Sequence, residues 1–113
     1  MPRPLMFAKS APNAVAQGAV LLGGRIRQAR KRRALTLRAL AAKAGVAYDT
    51  ARAVEKGNLM TGIGAYFALI WAMGLESEFM KFVDPEHDTE GKLLEQARLP
   101  ERVRGALTDE DEF

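Results

Sequence analysis

The sequence predicts an all-α protein, and three observations carry that expectation. Between Thr36 and Gly57 the core-forming positions Leu40, Ala41, Ala44, Val46, Thr50 and Val54 fall on both sides of Gly45 at spacings that suit a pair of short helices. Residues 63–73 are apolar almost throughout and run up to Gly74. No segment alternates apolar and polar residues as a half-buried strand would.

Each element follows from local signals. Residues 1–18 hold three prolines and many small residues, which reads as a flexible N-terminal arm. A first helix is expected from about Ala19 to Arg33, with Leu22, Ile26 and Ala29 on one face and a start weakened by Gly23-Gly24. A second helix is expected over Leu37–Ala44, capped by Thr36 and closed by Gly45. The third covers Tyr48–Lys56 and stops at Gly57. The fourth runs from Ile63 to Met73 after Thr61 or Gly62, and a short fifth from Glu76 to Val83 ends before Pro85. Residues 91–99 can form one more short helix, with Leu93, Leu94 and Ala97 on one side and Pro100 as its stop. The expected organisation is an arm over 1–18, a helical domain over 19–83 and an acidic tail over 84–113, disordered at its end.

A chain of 113 residues suits one domain with tails. It has no cysteine, which excludes a disulfide framework and a thiolate metal site. No stretch has the length of a membrane-spanning helix, and Ala19–Leu22 is too short for a signal-peptide core. A soluble cytoplasmic protein is expected, without membrane association. The net charge of +3 hides an asymmetry. Residues 1–33 carry eight Lys or Arg and no acid, whereas residues 84–113 carry ten acids against four bases. A basic front of this kind suits a polyanion.

Two short helices joined at Gly45 are the pattern of a helix-turn-helix, whose second helix lies in the DNA major groove. Tyr48, Asp49, Arg52 and Ala53 are the positions of that helix expected to face away from the core. Arg52 can pair with guanine or a phosphate, Tyr48 with a phosphate or a thymine methyl, and Asp49 with cytosine, although Asp49 also suits a helix N-terminus. Arg25, Arg27, Arg30, Lys31, Arg32 and Arg33 crowd the first helix, and a helix spreads them around its circumference, so only some can neutralise phosphates. The full set of candidate DNA contacts is Arg25, Thr36, Tyr48, Asp49, Thr50, Arg52 and Lys56. The arm with Arg3 and Lys9 enters a minor groove, is disordered or merely packs on a neighbour.

Residues 22–75 resemble the helix-turn-helix family of phage repressors and bacterial antitoxins known as the Xre or Cro type. The resemblance rests on Ile26, Arg30, Leu35-Thr36, Leu40-Ala41, Ala44-Gly45-Val46, Thr50, Val54-Glu55 and Gly57. It implies a five-helix, lambda-repressor-like domain and a salt bridge between Arg30 and Glu55. The chain departs from the family at Leu37, where a DNA-contacting Gln is common, and at Ala47, where a Ser often caps the recognition helix. Glu55-Lys56-Gly57, the stretch Met60 to Leu75 with Gly64-Ala65-Tyr66, and Gly91 to Arg104 with Leu99-Pro100-Glu101-Arg102-Val103-Arg104 look like HipB-type antitoxins. That likeness implies operon autoregulation as a dimer and binding to a HipA-type serine/threonine kinase toxin.

The fourth helix is apolar nearly all round, so one stripe is expected to fill the core and another to join a second subunit. Tyr66, Ile70, Trp71 and Phe79 are the candidate dimer residues. A twofold dimer would set two recognition helices about 34 Å apart on a palindromic operator. The acidic tail has three readings: docking on a toxin kinase, lying over the chain's own basic helix, or solubilising without structure. His87 has no second base near it in sequence. Asp84, Glu86, Asp88 and Glu90 lack the glycine and spacing of a calcium loop. Neither a phosphate-binding loop nor a nucleophile motif occurs. No enzyme activity, cofactor or metal is expected. The alternatives to a repressor–antitoxin are a stand-alone phage-type repressor and a protein-interaction module with weakened DNA binding.

Overall fold

A computed structural model of the chain describes residues 12–98. The expected arm residues 1–11 and tail residues 99–113 lie outside the described residues. Every regular element among those described is helical. Six of them are α-helices: α1 (Asn13–Arg32), α2 (Leu37–Ala44), α3 (Tyr48–Glu55), α4 (Ile63–Ala72), α5 (Glu76–Met80) and α6 (Thr89–Arg98). No helix among the described residues is long and apolar enough to cross a membrane.

The chain divides into two compact units, Met1–Phe79 and Met80–Phe113. In the first unit α2 packs on α3 and α4, while α3 also packs on α1 and α4. Ile26, Leu40, Ala41, Ala51, Val54, Tyr66, Leu69, Ile70, Ala72 and Met73 form the buried core. Leu22, Ala29, Ala44 and Val46 pack against it half-buried. The described part of the second unit holds 3-10 turns at Lys81–Val83 and Pro85–His87 and then α6, with no buried residue in any of them.

Four chain reversals share one geometry. After α2, Gly45 adopts φ +72°, its N–H donates to the Ala42 carbonyl, and the Val46 N–H donates to the Ala41 carbonyl at 2.9 Å. Equivalent pairs of bonds close α3 at Gly57 and α4 at Gly74, both also at positive φ. This left-handed closure satisfies carbonyls that a helix end leaves unpaired. The fourth case ends α1: the Ala34 N–H donates to Lys31 and the Leu35 N–H to Arg30, with Ala34 at φ +54°. Ala34 is the only non-glycine residue at positive φ among those described.

The first helix departs from expectation. It starts at Asn13, after Pro12, so residues 13–18 are helical and not part of a flexible arm. Gly23 does not weaken its start. It is buried where α1 crosses the end of α3, and a Cβ there would lie 2.8 Å from the Gly57 nitrogen and 2.9 Å from the Glu55 carbonyl oxygen. A Cβ on Gly57 would in turn strike the α1 backbone at Ala19 and Val20. Two glycines thus let the helices approach more closely than side chains permit.

Candidate nucleic-acid interface

The α2–α3 pair is positioned by its ends and by its core face. Thr36 caps α2, its Oγ1 accepting from the Ala39 N–H at 3.0 Å. Ala47 stands at the N-cap of α3 and provides no side-chain cap; Asp49 is the acid of that first turn, where the helix dipole favours it. Ala51 and Val54 turn inward and are fully buried. Tyr48, Asp49, Arg52 and Lys56 are consequently exposed, and Thr50 is half-buried.

One ion pair fixes α3 to α1. Arg30 Nε donates to Glu55 Oε2 at 2.7 Å, and Nη2 donates to Oε1 at 3.0 Å. The two side chains are only 11% and 7% exposed. A third bond, from Arg30 Nη1 to the Leu35 carbonyl at 2.8 Å, ties in the α1–α2 turn. The Glu55 hydrogen bonds raise the Arg30 guanidinium above its already high pKa, against the opposing effect of burial.

A cleft opens beside this pair, lined by Arg27, Arg30, Thr36, Leu37, Tyr48, Arg52, Glu55 and Lys56. Arg30 neutralises its one acid, which leaves Arg27, Arg52 and Lys56 as its uncompensated charges. The helix brings Arg27 to this cleft because it lies three residues before Arg30. Arg25, a candidate contact in the sequence, is exposed but does not line it; residues two apart on a helix, as Arg25 and Arg27 are, lie on nearly opposite sides. Of the expected contacts, then, Thr36, Tyr48, Arg52 and Lys56 share one cleft, whereas Arg25, Asp49 and Thr50 stand outside its lining.

Arg38 is a residue that reasoning from sequence misses. Its guanidinium carbon lies 4.3 Å from the centroid of the Tyr48 ring, a cation–π arrangement between the first turns of α2 and α3. The signal available in the sequence is an Arg in the first turn of α2; its partner ten residues on is set by the turn geometry.

The α4 surface also differs from expectation. Tyr66 and Ile70, candidate dimer residues, belong to the chain's own core. The Tyr66 hydroxyl donates to the Asn58 carbonyl at 2.9 Å, and burial raises its pKa. Phe79 packs half-buried against the same core, its ring 6.2 Å from that of Phe67. The outward stripe is Ile63, Phe67 and Trp71, exposed by 77%, 37% and 55%. Trp71 alone of the four candidates lies on it.

In the second unit Asp84, Glu86 and Asp88 serve local structure. Asp84 Oδ1 accepts from the Glu86 N–H, Asp88 Oδ1 accepts from the Gly91 N–H, and Glu86 pairs with Lys92 Nζ at 2.9 Å. His87 Nδ1 stands 3.9 Å from Asp84 Oδ2. Among the described residues no group of three or more His, Cys, Asp or Glu is placed to hold a metal ion.

No family model, curated protein or solved structure matches the chain.

Proposed function

We propose that this chain is a DNA-binding transcriptional repressor of the Xre or Cro helix-turn-helix type, in which α2, the Gly45 turn and α3 form the motif and α3 is the recognition helix. The observation that carries this reading is the division of α3: Ala51 and Val54 are buried, Tyr48, Asp49, Arg52 and Lys56 are exposed, and the Arg30–Glu55 pair holds that exposed face in place. Residues at the outward, N-terminal end of such a helix reach base edges in the major groove. Arg27, Arg52 and Lys56 supply the charge that backbone phosphates attract.

The repressor acts as a homodimer on a palindromic operator. The stripe of Ile63, Phe67 and Trp71 supports this, since it lies on a segment, residues 58–75, with no charged residue. Two copies of such a face meet without like-charge repulsion. The likeness to HipB-type antitoxins extends the reading to binding of a HipA-like kinase toxin. The test is a mobility-shift titration against DNA from upstream of the gene, with co-purification of any kinase encoded beside it. Salt-dependent binding and a co-purifying kinase are the expected results; absence of DNA binding at low salt rejects the repressor. A second reading, a protein-interaction module with weakened DNA binding, draws on the uncapped Ala47 and on Leu37, which packs against the core in place of a polar contact. The same salt titration separates the two.

A further inference from the structure

The front of the α2–α3 pair has a feature that the helix-turn-helix reading leaves unused. The Leu37 side chain offers no hydrogen-bond donor at the start of α2 and is half-buried against the core. The next residue, Arg38, is exposed and has no carboxylate partner among the described residues. Its guanidinium instead lies over the Tyr48 ring at 4.3 Å. A ring satisfies none of the guanidinium's five N–H donors by conventional hydrogen bonds, so a guanidinium held over it keeps donors for a further partner. The stack also limits the rotamers of a long side chain that would otherwise be ordered only on binding, at an entropic cost. Both residues stand in the first turn of their helices; α2 has no acid in its first turn, so the positive end of its dipole favours an anion beside Arg38, whereas Asp49 already answers the dipole of α3.

We infer that Arg38, held on the face of Tyr48, is a contact to a backbone phosphodiester of the bound DNA, and that Tyr48 is a positioning residue acting through Arg38 and not itself a base reader. The inference rests on the DNA-binding reading above. It gives the chain a phosphate clamp one residue beyond Leu37. It also assigns the exposed aromatic a purpose that an isolated tyrosine lacks.

The experiment is a fluorescence-anisotropy titration of a labelled duplex of mixed sequence, repeated over a salt series. The full chain is compared with Arg38→Ala, Arg38→Lys, Tyr48→Leu and the Arg38→Ala/Tyr48→Leu double variant. Circular dichroism checks that each is folded, which the exposure of both side chains favours. Arg38→Ala should weaken binding severalfold and make the slope of log K against log salt shallower by about 0.9, the value of one phosphate contact. Tyr48→Leu and Arg38→Lys should weaken binding while leaving the slope as it was, because the charge remains. The double variant should bind as Arg38→Ala does. An unchanged slope for Arg38→Ala, or strictly additive losses in the double variant, overturns the inference while leaving DNA binding intact. Failure of the unsubstituted chain to bind duplex at low salt overturns the DNA-binding reading and this inference together.

Discussion

Arg30 and Glu55 join the two ends of the proposed DNA-facing unit: a fork of two bonds at 2.7 and 3.0 Å links α1 to the last residue of α3, and a third bond from the same guanidinium holds the Leu35 carbonyl of the α1–α2 turn. The pair is nearly buried, so its energetics are asymmetric. Forming it offsets desolvation with Coulomb attraction, but removing one partner strands the other.

Glu55→Ala and Arg30→Ala should each lower unfolding free energy by about 3 kcal/mol. Arg30→Ala should be the worse, since it also frees the Leu35 carbonyl. Urea denaturation followed by circular dichroism measures both. Losses no larger than that of an exposed pair, about 1 kcal/mol or less, would mean that the fork is dispensable.

Ala34 makes the opposite prediction. It closes α1 at φ +54° where the three other closures of this kind use glycine. A left-handed L-residue costs about 1–2 kcal/mol, and glycine gives back part of that relief as unfolded-chain entropy. Ala34→Gly should therefore stabilise the protein by about 0.5–1 kcal/mol, read as a higher denaturation midpoint. A lower midpoint contradicts the assigned turn.

The adjacent glycines of α1 should respond in opposite directions. Gly23 touches the α3 backbone, so Gly23→Ala must push two helices apart and should be strongly destabilising. Gly24 is exposed, and a methyl group added there would meet nothing within 4 Å, so Gly24→Ala should gain up to about 1 kcal/mol of helix propensity. Thermal melts of the two variants check the contrast, and equal shifts would refute the close crossing.

Phe67→Asp or Trp71→Asp should convert a dimer to monomers with little loss of fold, because both side chains are exposed on α4. Sedimentation velocity reads the change. A monomeric unsubstituted chain, or a dimer indifferent to both substitutions, removes α4 as the interface.

The sequence is most legible where a cap and a stop bracket a helix. Thr36 and Gly45 set the bounds of α2, and Gly57 and Gly74 close α3 and α4 near where they are expected. It is least legible where the deciding contact is distant. The start of α1 looks weak because Gly23-Gly24 is a poor helix former, whereas the crossing with α3 requires a glycine there. On α4 nearly every position is apolar, so periodicity cannot say which stripe faces inward; burial selects Tyr66, Leu69, Ile70 and Ala72 and leaves Ile63, Phe67 and Trp71 outside. The Arg30–Glu55 pair follows from family likeness, and the Arg38–Tyr48 stack from neither likeness nor spacing.

The most direct test of the central claim is a backbone amide NMR titration of the full chain with duplex DNA at low salt. The account predicts shifts concentrated at residues 36–38, 48, 49 and 52, along the first turns of α2 and α3. Shifts confined to the Ile63–Trp71 stripe, or no shifts at all, would contradict it.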